Sequence, residues 1–389
     1  MESTLPNARQ RIFSIDILRG IIMCIMALDH VRDFYSNVNY DPLDLTKTSA
    51  ALFFTRWITH FCAPTFVFLA GTSAFLSLSK KNDKSAASLF LLKRGIWLVV
   101  LEFSIITFGW QLDPGFHVLF AQVIWAIGCS MIVLSALVFL RPVYVGVIGL
   151  VLIFGHNAFD HVKADSFGQY KLLWMILHKQ SFYAFNNRSA IFILYPLVPW
   201  VGVMAVGYAF GTLFKLDAAV RRSLFIKIGL SCLVLFIALR FSNLYGDPFP
   251  WQIQDSWWKD ILAFIKCYKY PPSLLYLLMT LGISILALAG LEGINNRVTN
   301  FFLVYGRVPM FYYIPHLYII HLSQVFVALA SGFTVQQLQK GALGKPGAWG
   351  FSLPVVYLIW LAVVLILYFP CRWFMGVKQR RRNWWLSYI

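Results

Sequence analysis

The sequence predicts an all-α, polytopic membrane protein, and three observations lead to this prediction. Of the 389 residues, 59% are hydrophobic and only 13% are charged, and the mean hydropathy is +0.68, a composition too apolar for a soluble globular protein. Apolar runs of about 20 residues recur along the chain, each long enough to cross a bilayer as a helix. The Lys and Arg residues are also unevenly divided between the predicted loops, as in proteins whose loops alternate between two membrane faces.

We expect about ten spanning helices, within a range of about nine to eleven, because each needs about 20 apolar residues. They are predicted at 12–33, 51–79, 95–112, 117–140, 143–162, 190–214, 224–244, 271–291, 309–331 and 351–372. The more polar segments 163–188 and 251–269 are expected to lie at the membrane interface. The whole chain, 1–389, is predicted to be a single transmembrane domain with a basic cytoplasmic tail at 373–389.

The orientation of the helices follows from the basic residues. An even number of spans leaves both termini on one side, and the loops on that side collect 19 of the 33 Lys and Arg residues but only four acids. This excess predicts that both termini are cytoplasmic, in a bacterial cytoplasmic (inner) membrane. The net charge of +17 is then explained by topology, so membrane lipid rather than nucleic acid is the expected partner.

The first predicted helix carries six ionisable groups, namely Asp16, Arg19, Asp29, His30, Arg32 and Asp33. Arg19 and His30 are eleven residues apart, about three helical turns or 16 Å, so they share one face, with Asp16 close to it. Charges inside a bilayer are costly unless they pair or line an aqueous cavity. We therefore interpret Asp16, Arg19 and His30 as functional. The other three could instead be interfacial residues that reach water.

The second helix adds Arg56 and His60, an i, i+4 pair on one face that enters from the same side as the His30 end of helix one. His60 is therefore either a buried core residue or a second catalytic candidate. Lys269, in the run Lys269-Tyr270-Pro271-Pro272-Ser273, is either structural or a ligand for an anionic or sugar group.

His316 is a further functional candidate because it follows Pro315, where a membrane helix can open. It is five residues from His321, whereas paired histidine ligands on a helix use i and i+4. We therefore expect no metal site. No GxxxxGK[ST], GxSxG, HExxH or GxGxxG motif occurs in a usable context, which argues against an ATP-driven pump or a standard serine hydrolase.

Several motifs resemble the heparan-α-glucosaminide N-acetyltransferase-like family of transmembrane acyltransferases, in the form found in bacteria. They are Ser14-Ile-Asp16-Ile-Leu-Arg19-Gly20 with Asp29-His30, Phe66-Val-Phe-Leu-Ala-Gly71, Lys269-Tyr270-Pro271-Pro272-Ser273, Tyr305-Gly306-Arg307-Val-Pro309 and Arg380-Arg-Arg-Asn-Trp384-Trp385. The resemblance covers nearly the full chain. The ten residues between Arg19 and His30 also resemble the first-helix motif of the acyltransferase-3 membrane enzymes.

The resemblance implies transfer of an acetyl group from cytoplasmic acetyl-CoA to an amine or hydroxyl of a saccharide or glycolipid at the outer face. The family's loop histidine is missing here, since 34–49 contains none, so His30 or His60 would act as the base, with Asp29 or Asp33 orienting it. The basic groups of Arg19, Lys93, Arg94 and Arg307 lie near the cytoplasmic side, where they could hold the phosphates of CoA.

A solute transporter that uses the intramembrane Asp, Arg and His side chains as its pathway is the alternative. Transporters often consist of two similar halves, and the sequence contains no internal repeat. Acetyl-CoA is the expected co-substrate. A homo-oligomer is one option for the assembly of the chain.

Overall fold

The computed structural model describes residues 12–79, 83–347, 349–381, 383 and 386, and all statements below concern these residues. Their α-helices are α1 (Phe13–Tyr35), α2 (Ala50–Ile58), α3 (Cys62–Leu78), α4 (Lys84–Leu101), α5 (Thr107–Gln111), α6 (Val123–Leu137), α7 (Pro142–Gly155), α8 (Lys171–Leu177), α9 (Leu197–Phe210), α10 (Ala218–Ser242), α11 (Trp257–Ile265), α12 (Leu274–Leu291), α13 (Arg297–Arg307), α14 (Pro309–Ala330), α15 (Val335–Lys340) and α16 (Leu353–Arg380).

The chain is an all-α, polytopic integral membrane protein, as predicted. Seven helical segments of the described chain are long and apolar enough to cross a membrane: Ala50–Leu78, Pro142–Phe159, Leu197–Lys215, Ala218–Ser242, Leu274–Leu291, Pro309–Ala330 and Leu353–Arg380. The number of spans and the side on which the termini lie stay predictions.

Helix α1 lies inside the bundle, where α3, α12, α13, α14 and α16 all pack against it. Its buried residues occur all round the helix and include the polar residues Asp16, His30 and Arg32. A helix that is covered on every side can carry ionisable groups at membrane depth, because protein rather than lipid surrounds them. Helices α10 and α16, which are far less buried, lie at the periphery.

Two glycines allow α1 and α13 to touch backbone to backbone. A Cβ added at Gly20 would lie 1.8 Å from the carbonyl oxygen of Phe302, and one at Gly306 would lie 1.7 Å from that of Asp16. Small residues are the usual means by which membrane helices approach this closely. The close contact brings the start of α1 beside Arg307 at the end of α13.

A three-stranded sheet interrupts the helical architecture. Strand β1 (Val118–Ala121) pairs in parallel with β3 (Ala190–Ile193), which pairs antiparallel with β2 (Ser181–Ala184), in the order β1-β3-β2. The predictions that helices begin at 117 and at 190 are therefore wrong. Apolar runs of four residues do not reveal by periodicity whether they form a strand or a helix.

Other boundaries also differ from the prediction. The helix predicted at 95–112 begins earlier, as α4 at Lys84, where the Asp83 side chain caps the first turn by accepting from the amides of Ser85 and Ala86. It continues through a π-helical stretch, Glu102–Ile106, into α5. Helix α16 continues to Arg380, so much of the predicted tail is helical. Helix α13 was not predicted, because its 11 residues are too few to span a membrane. Arg9, Arg11, Lys80, Lys81, Arg382, Trp384 and Trp385 lie outside the described residues.

We expect Gly306→Ala to destabilise the protein by about 1–3 kcal/mol, the usual cost of overpacking, because the new methyl group meets the rigid α1 backbone. Thermal unfolding in detergent measures the change. Gly290→Ala is the matched control, since a Cβ there has nothing within 4 Å. Equal melting temperatures for the two variants would contradict the tight α1–α13 contact.

Candidate functional site

Two cavities lie beside α1. The Arg19 cavity, of about 490 Å³, contains Arg19 and Arg307 in its lining. The His30 cavity, of about 300 Å³, contains His30 and Lys269 in its lining. The two cavities are neighbours, because four side chains line both of them: Met26, Phe66, Val123 and Tyr313.

The Arg19 cavity is strongly basic. Among the residues that the structure describes, its charged lining side chains are Asp16, Arg19, Arg94, Arg307 and Lys378, which is four cations and one carboxylate. Among these, Asp16 is paired with Arg19, whose Nη1 lies 3.0 Å from the Asp16 Oδ1. A cavity with this excess of guanidinium and ammonium groups is suited to phosphates, which form charge-assisted hydrogen bonds with them.

Arg19 is held in place by three helices. Besides its ion pair with Asp16, Nη1 donates to the carbonyl oxygen of Gly306 at 3.2 Å, and Nη2 donates to the Ser73 hydroxyl at 2.8 Å. These partners belong to α1, α13 and α3, so the guanidinium marks the point where the three helices converge. The Gly20–Gly306 backbone contact makes this convergence possible.

An ion-pair network forms one wall of the His30 cavity. Both carboxylate oxygens of Asp29 lie 2.7 Å from Nη1 of Arg56, and Oδ1 also lies 2.7 Å from Nη2 of Arg32. The same Arg32 nitrogen lies 2.6 Å from Oδ1 of Asp33. Asp29 and Arg32 are paired with each other, and their side chains are 14% and 6% exposed. The alternative that these residues are interfacial stays a prediction.

A hydrogen bond between two histidines joins α1 to α14. The His30 Nδ1 lies 2.7 Å from the His316 Nε2, and the ring planes are nearly parallel, at an interplanar angle of 18°. The other nitrogen of His316, Nδ1, lies 3.2 Å from the carbonyl oxygen of Tyr312. His316 is completely buried and lies behind His30, outside the lining of both cavities.

These contacts determine the tautomers of the two neutral rings. A carbonyl oxygen can only accept, so His316 must carry its proton on Nδ1, and its Nε2 must accept. His30 then has to donate from Nδ1, which leaves a lone pair on its Nε2. The tautomer is inferred from the hydrogen-bond network. This arrangement prepares His30 to accept a proton from a molecule in the cavity that it lines.

Aromatic residues enclose His30. The Trp110 ring meets it edge to face at 4.8 Å, and the Tyr313 ring does so at 6.3 Å. Phe120 and Phe192, which are partners in the register of the β1–β3 pair, also line the cavity. The unexpected sheet therefore contributes a wall of the candidate site.

The loop before α12 supplies Lys269 to the same cavity. Asp247 organises this loop, because its Oδ2 accepts from the Tyr268 amide at 2.9 Å and from the Ser273 hydroxyl at 2.7 Å. Burial raises the pKa of the Asp247 carboxyl above its usual value, although these hydrogen bonds act in the opposite direction. Lys269 itself is only 7% exposed.

The structure gathers most of the residues that the sequence singled out. Asp16, Arg19, Arg94 and Arg307 line the Arg19 cavity, whereas Asp29, His30, Asp33, Arg56 and Lys269 line the His30 cavity. Lys93 is exposed and lines neither.

His60 also lies apart from both cavities, even though Arg56 lines one of them. It is buried, its ring centre lies 5.4 Å from that of Tyr276, and neither ring nitrogen has a hydrogen-bond partner among the described residues. Between Arg56 and His60 the chain changes from α-helix to a 3₁₀ turn, Thr59–Phe61. A 3₁₀ turn has three residues per turn, so the i, i+4 spacing no longer aligns the two side chains.

Sequence reasoning missed several lining residues. Lys378 lies in the Arg19 cavity, although the prediction assigned it to the basic tail. Trp110, Tyr313 and Tyr270 surround the His30 cavity but look like ordinary membrane-helix aromatics in the sequence. Among the described residues no group of three or more His, Cys, Asp or Glu side chains is arranged to hold a metal ion. The absence of a metal remains a prediction.

The fold and the cavities together define a class: an integral membrane protein with a basic cavity and a histidine-containing cavity next to each other inside its helical bundle. The family model for heparan-alpha-glucosaminide N-acetyltransferase, catalytic, matches residues 11–239, more than half of the chain. The chain belongs to this family of membrane acetyltransferases. No curated protein matches it significantly. Lys269, Arg307, His316 and Lys378 all lie beyond the matched residues.

Proposed function

We propose that the protein transfers an acetyl group from acetyl-CoA, bound in the Arg19 cavity, to an acceptor bound in the His30 cavity. The observation that carries this proposal is that the two cavities are neighbours and share the lining side chains Met26, Phe66, Val123 and Tyr313. One cavity has the charge that the phosphates of CoA need, and the other contains a histidine prepared to act as a base. In this proposal the thioester reaches that histidine past the four shared side chains.

The Arg19 cavity faces the cytoplasm in this proposal, in agreement with the excess of Lys and Arg on the side of the amino terminus. Acetyl-CoA is a cytoplasmic metabolite that could then enter directly. Arg94 and Arg307 are the proposed partners of its phosphates, together with Lys378. Met26 lies seven residues beyond Arg19, about 10 Å along α1, a distance that an extended pantetheine arm can cover.

His30 is the proposed general base. Its Nε2 takes a proton from the amine or hydroxyl of the acceptor as that group attacks the thioester carbonyl carbon. The carbon–sulfur bond then breaks, and the CoA thiolate leaves and takes up a proton, so that acetylated acceptor and CoA result. His316 holds the ring of His30 in the required tautomer, and Asp29 acts through Arg56 to shape the cavity rather than as a base.

The acceptor is proposed to be a saccharide or glycolipid at the outer face of a bacterial cytoplasmic membrane. Membership of an N-acetyltransferase family supports an amine as the acetylated group. The aromatic wall beside His30 suits the apolar face of a sugar ring. A transporter would need a continuous pathway through the bundle. The hydrogen-bonded pair of His30 and His316 instead suits the proton transfer of an acetylation reaction, so it supports the transferase over the transporter.

We expect His30→Ala to lower acetyl transfer at least a hundredfold, because general bases typically contribute factors of 10²–10⁴. Transfer of labelled acetyl from acetyl-CoA to a glycan or lipid fraction measures the change. His60→Ala is the control, since His60 lines neither cavity. Loss of activity in His60→Ala alone would remove His30 from the role of base. Solute counterflow in vesicles without covalent change would favour the transporter.

Two replacements of His316 test its proposed control of the His30 tautomer. Glutamine can still accept a hydrogen bond from the His30 Nδ1, whereas leucine cannot. We therefore expect His316→Gln to retain more acetyl transfer than His316→Leu, with the loss in kcat and little change in KM for acetyl-CoA. Similar activity in the two variants, at similar thermal stability, would show that tautomer control by His316 is unimportant.

Substitutions of two adjacent residues test whether acetyl-CoA binds in the Arg19 cavity. Arg94→Ala should raise KM for acetyl-CoA roughly tenfold, because a hydrogen bond to a charged group is worth about 1.5–3 kcal/mol. Lys93→Ala is the control, since Lys93 is exposed and outside the cavity. An equal effect of both substitutions would point to a general effect of surface charge.

A further inference from the structure

Tyr313 differs in its chemistry from the other side chains that line both cavities. Among the residues that the structure describes, the other three are Met26, Phe66 and Val123, and their side chains have no N–H or O–H group. The phenol of Tyr313 has a hydroxyl that can donate a hydrogen bond. A thioester that passes these four side chains therefore meets a single hydroxyl donor on them.

The ring of Tyr313 also borders the proposed base. The residue is only 3% exposed, and its ring centre lies 6.3 Å from that of His30 and 5.4 Å from that of His316. Tyr313 and His316 are three residues apart on α14, so they share one face of that helix. One helix thus holds both the residue that orients His30 and a phenol beside it.

Other donors line the His30 cavity alone. They include the side chains of Gln122, Arg56 and Lys269, none of which reaches the lining of the Arg19 cavity. Arg56 is bound by Asp29 at 2.7 Å, and the Lys269 ammonium interacts with the Tyr270 phenol. The phenol that lines both cavities is therefore the donor best placed to meet a thioester between them.

We propose that Tyr313 is a catalytic residue whose hydroxyl donates a hydrogen bond to the carbonyl oxygen of the thioester during acetyl transfer. The proposal rests on the proposed function and adds the group that stabilises its transition state. His30 is engaged with the proton of the acceptor, so the carbonyl oxygen needs a different partner, and Tyr313 supplies it.

The carbonyl oxygen becomes negative as the transfer proceeds. When the acceptor nitrogen or oxygen bonds to the carbonyl carbon, an electron pair of the C=O bond moves onto oxygen. A fixed donor stabilises this charge more than it stabilises the neutral carbonyl, which lowers the barrier. The pair then returns to form C=O, the carbon–sulfur bond breaks, and the proton taken by His30 passes to the thiolate sulfur. Tyr313 keeps its own proton throughout.

Tyr313→Phe removes the hydroxyl and keeps the ring. We expect it to lower kcat about a hundredfold, the usual cost of losing one oxyanion donor, and to leave KM for acetyl-CoA nearly unchanged. The assay uses the purified full chain in detergent, labelled acetyl-CoA and methyl glucosaminide as the acceptor probe. Tyr318→Phe is the matched control, because Tyr318 lies on the same helix, donates to the carbonyl oxygen of Ile105 and lines neither cavity.

Infrared spectroscopy gives a second measurement that does not require turnover. Acetyl-CoA with an isotope-labelled carbonyl carbon is bound to the protein without acceptor, and the frequency of its carbonyl band is recorded. A hydrogen bond to the oxygen weakens the C=O bond, so we expect a lower frequency in the wild type and in Tyr318→Phe than in Tyr313→Phe. A side chain that only packs the helix would not shift this band.

The outcomes separate this proposal from the proposed function. Equal kcat in the wild type and in Tyr313→Phe overturns the role of Tyr313 and leaves acetyl transfer intact. A carbonyl band that shifts only when Tyr313 is present, without transfer to the probe, supports the carbonyl contact and counts against acetyl transfer. A higher KM at unchanged kcat, or an equal loss of activity in Tyr318→Phe, also overturns the role of Tyr313.

Discussion

Ionisable groups on a membrane helix have to be kept away from lipid, and the packing around α1 follows from that requirement. Helices α2, α3, α12, α13, α14 and α16 pack around α1, and its backbone touches that of α13 at Gly20 and Gly306. The same contact brings Arg19 to the carbonyl oxygen of Gly306. One arrangement of helices thus both shields α1 from lipid and forms the Arg19 cavity.

Two adjacent residues of the ionisable row, Asp29 and His30, are held differently. Asp29 is bound by two guanidinium groups, which stabilises its charge inside the bundle and makes the carboxylate a poor base. Among the described residues His30 has one side-chain hydrogen bond, from Nδ1 to the ring of His316. Neutralisation of charge and the proposed acceptance of a proton therefore fall to neighbouring residues. The division leaves the histidine available without leaving a buried charge unpaired on α1.

Much of this arrangement could be predicted from the sequence. The eleven-residue interval between Arg19 and His30 predicted a shared face, and the two side chains line neighbouring cavities. Helical periodicity is reliable inside a long, regular helix such as α1. It failed for His60, where a 3₁₀ turn changes the angle per residue after Arg56.

The rest depends on contacts between distant parts of the chain. His30 and His316 are separated by 286 residues, so no local pattern indicates that they share a hydrogen bond. The sheet was missed for the same reason, because β1 and β3 are stabilised by each other rather than by their own sequences. Lys378 reaches the Arg19 cavity only because α16 continues beyond its apolar part.

The histidine pair has a consequence for how the protein is made. His30 enters the membrane with the first helix, whereas His316 and the Tyr312 carbonyl that orients it belong to α14, which is synthesised much later. Until α14 is in place, nothing selects the His30 tautomer, and the imidazole is free to protonate on either nitrogen. Completed assembly thus fixes the lone pair on Nε2, and a half-inserted chain has the histidine without this fixed orientation.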